Sequence, residues 1–399
     1  MIQDRPAWRE GEMGGFYIGR ERKARTAYGF DEVALVPGTR TIDPDDADVT
    51  WKLGDLTFDI PILASAMDGV VDPRFAIEMG KLGGLAVLNL GGVQTRYENP
   101  TRVIEEIIHS SAEEVVGVIQ RIYREPVKNE LIVRRIEEIK KAKVPVAVSC
   151  IPQEASHFGK IAEEAGADIL VVQATVATAE YTSLTKGKLD FKKLCRDLSI
   201  PVIVGNCVVY ETTLDLMETG IDALLVGVGP GAACTTREVL GVGVPQVTAT
   251  IDCAAARDHY FKKSGRYVPI ITDGGMRTGG DICKALASGA DAVMIGSAFA
   301  QAREAPGKGY HWGMATSDEN LPRGARVKVG TTGRLKEILR GPARMDDGSQ
   351  NLVWAIRTCM GYCGVSHLKE MHQVEMVLAP AIKSEGKFFQ QVQRPLKNV

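Results

Sequence analysis

The chain has 399 residues, of which 45 % are hydrophobic and 25 % charged, and its formal net charge is -2 at pH 7. This length suits one large or two ordinary globular domains. The balance of 48 basic and 50 acidic residues argues against a nucleic-acid or anionic-membrane partner. No apolar run reaches the length of a membrane span, and residues 1–6 lack a secretion signal. Eight scattered cysteines fit a reducing compartment, so we expect a cytoplasmic protein.

Short apolar runs recur along the chain, each followed by a glycine-rich or polar turn and then by a helical pattern. They predict strands at 61–65, 85–89, 145–150, 168–173, 201–205, 222–226, 268–273 and 291–296. Amphipathic helices are predicted between them, for example at 73–82, 154–165, 212–219 and 280–288. Three of these helices end in Gly-Ala-Asp or Gly-Ile-Asp, at 166–168, 220–222 and 289–291. Glycine is favoured at a helix C-terminus, so each tripeptide is predicted to end a helix and start a strand.

This alternation of eight strands with helices predicts an α/β fold of the (β/α)8 TIM-barrel type. The alternative is an open doubly wound sheet, but no Gly-x-Gly-x-x-Gly lies between an early strand and a helix. Two segments are longer than barrel connections, namely the charged, helical residues 94–142 and the Gly-, Pro- and charge-rich residues 302–348. A long insert on the catalytic face often forms a lid. We therefore predict a single catalytic domain over 1–399, with a flap at 302–348 after the eighth strand.

The most informative motif follows the sixth predicted strand. Residues 227–237 read Gly-Val-Gly-Pro-Gly-Ala-Ala-Cys-Thr-Thr-Arg. Alternating glycines and a proline leave a backbone with little side-chain cover, so its amide and carbonyl groups lie open to a ligand or ion. A thiol on such a loop, here Cys234, is what covalent catalysis at an electrophilic carbon requires. The alternative is that Cys234 is a small buried hydrophobe, as many single cysteines are.

The loops after the last two strands predict a phosphate site next to this motif. Asp-Gly-Gly stands at 273–275, and Gly296-Ser297 follows the eighth strand. Glycine amides and a helix N-terminus form the usual phosphate site of this fold, and Ser297 adds a hydroxyl. Asp273 is suited to accept hydrogen bonds from a ribose diol. The alternative is that these glycines only make tight turns, but a nucleophile beside a phosphate-and-ribose site indicates a nucleotide attacked on its base.

These motifs resemble the IMP dehydrogenase/GMP reductase family, and the similarity covers nearly the whole chain. It rests on Tyr-Gly-Phe-Asp-Glu-Val-Ala-Leu-Val-Pro at 28–37, Ala-Ser-Ala-Met-Asp at 64–68, Gly205-Asn206, the Cys234 loop, Asp-Gly-Gly at 273–275 and Met-Ile-Gly-Ser at 294–297. More narrowly, the chain resembles bacterial IMP dehydrogenase-related proteins without the regulatory CBS pair. The place expected for that module holds only the helical segment 94–142.

The resemblance implies that the Cys234 thiolate adds to C2 of the purine and forms a thioimidate. In the dehydrogenase direction, hydride passes from IMP to NAD and water then releases XMP. In the reductase direction, ammonia leaves GMP and NADPH returns hydride to give IMP. The resemblance also implies a homotetramer or octamer.

The resemblance implies a role for each of the following groups of residues. The implied catalytic residues are Cys234, Thr236 and Glu319. The implied substrate-binding residues are Ser65, Met67, Gly231, Asp273, Gly275, Gly296, Ser297, Gly313 and Met314. The implied cofactor-binding residues are Asn206, Gln173 and Thr175. The backbone carbonyls that match the family's possible potassium (K+) site are those of Gly227, Gly229 and Cys234.

Departures from the family pattern favour the reductase direction. The dehydrogenase needs an Arg-Tyr pair on its flap, with the arginine acting as a base toward water, and residues 315–324 contain no such pair. A general base is worth about two to four powers of ten in rate, and its loss harms hydrolysis more than hydride return. Gln173 stands where an aspartate usually contacts the nicotinamide ribose, which favours the phosphorylated cofactor. Arg323 stands where the family has a proton-relay glutamate, and Glu319 is the nearest acid.

We therefore expect a GMP reductase that uses NADPH, with an IMP dehydrogenase that uses NAD as the alternative. A third hypothesis is a silent purine-nucleotide-binding regulator. The intact Cys-Thr-Thr sequence at 234–236 argues against it, because a pure binding protein has no use for a thiol opposite C2.

Overall fold

The computed structural model describes residues 15–180, 189–313 and 325–387, together with Gln390. Its centre is a closed barrel of parallel strands. The barrel strands are β6 (Ile62–Ala64), β7 (Leu85–Asn89), β8 (Ala147–Cys150), β9 (Ile169–Gln173), β10 (Val202–Cys207), β11 (Ala223–Val226), β12 (Ile270–Asp273) and β13 (Ala292–Ile295). They follow one another around the ring in chain order, and β13 closes the ring on β6. The predicted TIM barrel is confirmed, and each predicted strand overlaps an observed one.

Helices surround the barrel and connect its strands. They are α1 (Pro73–Lys81), α2 (Pro100–His109), α3 (Val115–Ile122), α4 (Asn129–Lys140), α5 (Ala155–Glu164), α6 (Phe191–Asp197), α7 (Tyr210–Met217), α8 (Thr236–Leu240), α9 (Gln246–Ser264), α10 (Gly279–Ala287), α11 (Ser297–Ala300), α12 (Leu335–Arg340) and α13 (Leu352–Cys363). Every residue of β8, β10, β11 and β13 is buried. Because helices cover the outer faces of the strands, these strands are mainly apolar on both faces rather than alternating. Their polar residues, Ser149 and Asn206, lie near their carboxyl ends.

The remaining strands form two-stranded pairs outside the barrel. They are β1 (Phe16–Gly19), β2 (Arg22–Ala24), β3 (Val33–Leu35), β4 (Trp51–Leu53), β5 (Leu56–Phe58), β14 (Tyr310–Trp312), β15 (Arg326–Lys328) and β16 (Met376–Leu378). Single 3-10 turns lie at Phe30–Glu32, Pro44–Asp46, Val93–Thr95, Pro152–Glu154 and Leu368–Gln373. The β14–β15 pair belongs to the predicted flap, whose residues 314–324 lie outside the described residues, and the flap therefore stays a prediction.

The three Gly-x-Asp tripeptides act as predicted and also close the N-terminal end of the barrel. Their glycines adopt positive φ angles of +91°, +98° and +105°. Each aspartate then accepts a hydrogen bond of 2.8–2.9 Å from a backbone amide of the preceding barrel segment, as Asp168 does from Val146, Asp222 from Val202 and Asp291 from Ile270. Each also pairs with a cation, as Asp168 does with Lys140, Asp222 with Arg266 and Asp291 with Arg257. The same combination of a glycine turn and a hydrogen-bonded, ion-paired aspartate thus fixes the first residues of three strands.

The helical segment 94–142 contributes to a second, smaller apolar cluster beside the barrel. Its buried members are Val93, Ile104, Ile107, Val115, Ile119, Ile122, Tyr123 and Trp312. Two members lie outside the insert (residues 94–142), since Val93 directly precedes it and Trp312 comes from β14. The insert therefore packs against a strand of the predicted flap.

Candidate active site

A cavity at the C-terminal mouth of the barrel brings the predicted site residues together. All the predicted residues within the described ranges line it: Ser65, Met67, Gln173, Thr175, Asn206, Gly227, Gly229, Gly231, Cys234, Thr236, Asp273, Gly275, Gly296, Ser297 and Gly313. The catalytic loops of a TIM barrel follow the carboxyl ends of its strands, which explains why distant residues meet here. Met314, Glu319 and Arg323 lie outside the described residues.

Cys234 is exposed in this cavity. Its thiol donates to the hydroxyl oxygen of Thr236 at 3.2 Å, and Thr236 is itself buried. The Cys234 amide donates to the Gly231 carbonyl at 3.0 Å, which makes a tight turn around the thiol. Cys234 therefore does not fill a gap in the core, and its sulfur is open to a ligand.

The glycines of the Cys234 loop permit close packing of the loop on the barrel mouth. Gly227 and Gly229 have φ angles of +151° and +73°. A Cβ at Gly227 would lie 2.4 Å from the Asp273 carbonyl oxygen, and one at Gly229 would lie 2.5 Å from Cγ of Arg237. No side chain fits at either position, so the loop backbone itself forms that part of the cavity wall.

Asp273 lies at the centre of an amide–carboxylate cluster. Its Oδ2 accepts hydrogen bonds from Nδ2 of Asn206 at 2.8 Å and from Nε2 of Gln173 at 3.0 Å. Gln173 also donates to Oδ1 of Asn206 at 3.2 Å. Burial raises the pKa of the Asp273 carboxyl to about 6, although these two hydrogen bonds act in the opposite direction. No hydrogen bond from the described residues reaches Oδ1 of Asp273, which leaves that oxygen for a ligand hydroxyl.

The described residues of the predicted phosphate cradle include no cationic side chain. Gly274 and Gly275 both have φ of +82°, which turns their backbone toward the Cys234 loop. A Cβ at Gly296 would lie 2.7 Å from Sδ of Met67, so glycine is needed there as well. Within the described part of the chain, no lysine or arginine lines the cavity. A phosphate here would be held by backbone N–H groups and by the Ser297 hydroxyl.

His311 completes this end of the cavity. It is 1 % exposed, and its Nε2 lies 3.1 Å from Oγ of Ser297. Its Nδ1 is buried and has no hydrogen-bond partner among the described residues. Burial lowers the pKa of His311 to about 4, so the ring is neutral at physiological pH. His311 thus contributes a polar but uncharged side chain to the predicted phosphate cradle.

A second cavity adjoins the first one through Gln173, and it was not predicted from the sequence. Its polar lining residues include Asn89, Arg96, Asn129, Ser149, Glu154 and His157. Asn89 ends β7 and Ser149 lies in β8. The rule that located the main cavity, polar residues at strand ends, would also have indicated these two.

The described residues contain no group of three or more His, Cys, Asp or Glu side chains arranged to hold a metal ion. Potassium, by contrast, is bound in proteins by backbone carbonyl oxygens. The bare backbone at Gly227 and Gly229 fits that type of ligand, and the potassium site formed with Cys234 stays a prediction. Within the described residues, no helix is both long and apolar enough to cross a membrane.

The fold and the cavity define an α/β-barrel protein with an exposed thiol beside the glycine-rich turns that are predicted to bind a phosphate. The model of the IMP dehydrogenase/GMP reductase domain matches residues 27–387. The chain belongs to the IMP dehydrogenase/GMP reductase family, whose members are oxidoreductases of purine nucleoside monophosphates. The resemblance inferred from the sequence is therefore confirmed.

Individual relatives agree with this assignment. A protein of Mycolicibacterium smegmatis described as an uncharacterized oxidoreductase is 37 % identical over 370 residues, which is 90 % of this chain and 99 % of the relative. The inosine-5'-monophosphate dehydrogenase of Cryptosporidium parvum is 30 % identical over 86 % of this chain and 89 % of the relative. The crystal structure of an IMP dehydrogenase/GMP reductase-like protein from Corynebacterium glutamicum superimposes with a TM-score of 0.86 at 35 % identity, over 92 % of this chain and 98 % of that one.

Proposed function

We propose that the protein is a GMP reductase that converts GMP and NADPH to IMP, ammonia and NADP through a covalent Cys234 adduct at purine C2. The observation that carries the proposal is the placement of the exposed Cys234 thiol in one cavity with Asp273, Ser297 and Gln173. Cys234 would be the nucleophile, and Asp273 would accept a hydrogen bond from the ribose. Ser297 would bind the phosphate, and Gln173 marks the end of the cavity where the nicotinamide cofactor would bind, here called the cofactor end. A nucleotide that spans the cavity would place its base at the thiol.

The binding step follows from the geometry of the cavity. Backbone groups at Gly275 and Gly296 and the Ser297 hydroxyl would hold the phosphate. The unoccupied Oδ1 of Asp273 would accept a hydrogen bond from the ribose, because an ionised carboxylate accepts and does not donate. With both ends fixed, C2 of the purine lies against Cys234. Such positioning is a large part of the catalytic effect in reactions of this type.

In the chemical step, the Cys234 sulfur forms a bond to C2 of GMP. The bond between C2 and the exocyclic nitrogen breaks, and ammonia departs with the thiol proton. Thr236 lies within hydrogen-bond distance of the sulfur and would position that proton. NADPH supplies the hydride that C2 then receives. Cys234 leaves C2 as the carbon–sulfur bond breaks and takes up a proton, which restores the thiol.

Gln173 supports NADPH and the reductase direction. Its amide is neutral and donates to Asp273 and toward Asn206, whereas the family pattern has an aspartate there. The cofactor end therefore carries one negative charge fewer, which favours a phosphorylated ribose by simple electrostatics. The absence of an Arg-Tyr pair from the sequence of residues 315–324 supports the same direction. Family resemblance also supports a cytoplasmic homotetramer or octamer.

IMP dehydrogenase is the second candidate. Arg323 occupies the position of the proton-relay glutamate, and delivery of protons to departing ammonia needs an acid. Loss of this glutamate would therefore slow the reductase reaction as well.

A direct assay distinguishes the candidates. Purified protein is mixed with GMP and NADPH or with IMP and NAD, and cofactor absorbance is followed together with IMP, XMP and ammonia. We expect NADPH oxidation with equal amounts of IMP and ammonia, and loss of turnover in Cys234→Ser with nucleotide binding retained. Faster formation of XMP from IMP would assign the dehydrogenase. Tight binding of both nucleotides without any turnover, unaffected by Cys234→Ser, would assign the silent regulator.

A further inference from the structure

The Tyr123 hydroxyl lies between two neighbouring segments that both contribute residues to the wall of the main cavity. It donates to Oδ2 of Asp68 and accepts a hydrogen bond of 2.9 Å from Nε1 of Trp312. Asp68 directly follows Met67, and Trp312 stands between His311 and Gly313. Met67, His311 and Gly313 all line the cavity. A single phenol from the insert therefore joins the turn after β6 to strand β14.

This bridge is buried and polar, so its loss has consequences. Tyr123, Asp68 and Trp312 are 5 %, 2 % and 0 % exposed. Apart from Tyr123, Asp68 is held by the Val93 amide at 3.2 Å. Without the phenol, a buried carboxylate oxygen and a buried indole N–H would both lose their partner. Such orphaned groups force neighbouring segments to shift or to admit water.

The two bridged segments are also in contact behind the cavity. A Cβ at Gly69 would lie 2.7 Å from the Tyr310 carbonyl oxygen and 2.9 Å from Cα of His311. The Gly307 amide donates to the Gly69 carbonyl at 3.0 Å. A shift at Asp68 or Trp312 would consequently reach His311 and, through its contact with Ser297, the phosphate cradle.

The insert holds the partner strand β15 at the matching position. Arg326 lies directly opposite Trp312 in the β14–β15 pair. Its Nη1 donates to the carbonyl oxygens of Ile107, Ile108 and Ser110, at 2.6, 3.0 and 2.8 Å. These carbonyls end α2, where a cation is favoured by the helix dipole. Both members of one cross-strand pair are thus fixed by the same insert.

We propose that Tyr123 is a positioning residue for the phosphate end of the nucleotide site, through which the helical insert holds β14 against the turn after β6. The insert then has a role in substrate binding, although none of its residues lines the main cavity. The inference rests on the proposed function, since it assumes that a nucleoside monophosphate occupies the cavity.

The test compares Tyr123→Phe with Tyr97→Phe as a matched control. Tyr97 packs against the same cluster, but its hydroxyl donates to the Ile122 carbonyl at 2.9 Å and not to Asp68 or Trp312. Dissociation constants for GMP and for guanosine are measured by calorimetry, and KM and kcat are measured separately. We expect Tyr123→Phe to raise the Kd and KM for GMP about tenfold, with the Kd for guanosine and kcat changed less than about threefold. Tyr97→Phe should leave all four values unchanged, even where its melting temperature falls.

Trp312→Phe removes the indole N–H from the other side of the bridge, and it serves equally if Tyr123→Phe does not fold. The double variant should bind GMP no more weakly than Tyr123→Phe alone, because that substitution already removes the hydrogen bond from the Trp312 indole. Unchanged GMP affinity in the folded variants, equal losses for GMP and guanosine, or additive losses would each overturn the inference while leaving the proposed function intact. Wild-type protein that binds neither GMP nor IMP would instead overturn the proposed function, and the inference with it.

Discussion

Asp273 illustrates, at the scale of a single residue, how a ligand site costs stability. Its carboxyl has a pKa raised from 3.8 to about 6 because burial disfavours the charged form. The folded protein therefore holds this proton more tightly than the unfolded chain does. It follows that the free energy of unfolding falls as the pH rises from about 4 to about 6, and stays lowered at higher pH.

Asp273→Asn is predicted to remove this penalty. Since the asparagine oxygen can still accept from Asn206 and Gln173, we expect the variant to be more stable by about 1–3 kcal/mol at pH 8, at 1.36 kcal/mol for each pKa unit. The gain should fall to about one third of this value at pH 4.5, where the carboxyl is already mostly ionised in the unfolded chain but still protonated in the folded protein. Urea unfolding at the two pH values measures this, and calorimetry should show GMP affinity reduced about tenfold or more, because a charged acceptor is lost. A variant destabilised equally at both pH values would contradict the account.

The sequence was a good guide to single residues where they follow strands. Cys234, Asp273 and Ser297 stand at strand ends, and barrel topology alone places such residues in one mouth. The sequence around Tyr123, by contrast, did not indicate its contacts. Its partners Asp68 and Trp312 are 55 and 189 positions away in the chain, and no local pattern reports a contact at that distance. His311 Nδ1 is buried without a hydrogen-bond partner among the described residues, and this too depends on tertiary packing.

Among the secondary-structure elements, the Gly-x-Asp connections share one arrangement but differ in how deeply their ion pairs are buried. Asp291 pairs with Arg257, whose side chain is 3 % exposed, and it also accepts from the Tyr267 hydroxyl at 2.6 Å. Asp168 pairs with Lys140, whose side chain is 45 % exposed. The sequence predicted the turns correctly, but the burial of each ion pair depends on neighbouring helices and was not predictable.

Asp291→Ala is therefore predicted to cost about 3–5 kcal/mol, because it removes the buried counter-ion of Arg257 and leaves that buried guanidinium paired only with the exposed Asp258 carboxylate. Asp168→Ala, the matched control, should cost about 1–2 kcal/mol, since Lys140 can turn to water. Urea unfolding measures both values. Each folded variant should retain kcat/KM within about twofold, as these residues lie at the barrel end opposite the cavity. Equal costs for the two substitutions would argue against burial as the deciding factor.

In the whole molecule, one end of the barrel contains groups that stabilise the fold, and the other contains the candidate active site. The N-terminal end contains the ion-paired strand starts, and the C-terminal mouth contains the thiol, the amide–carboxylate cluster and the predicted phosphate cradle. The repeated strand-and-helix pattern made the barrel predictable from the sequence. The attachment of residues 94–142 to β14 and β15 was not predictable, because an amphipathic helix specifies that a face is buried but not which element covers it.

The central claim, that Cys234 forms a bond to purine C2, is tested most directly by acid quenching and peptide mass spectrometry. GMP alone should add to the Cys234 peptide the mass of GMP less ammonia. IMP with NAD should add the same mass, because IMP less two hydrogens has that composition. The nucleotide should be absent from Cys234→Ser. An adduct at another cysteine, or turnover of GMP by Cys234→Ser at the wild-type rate, would contradict the account.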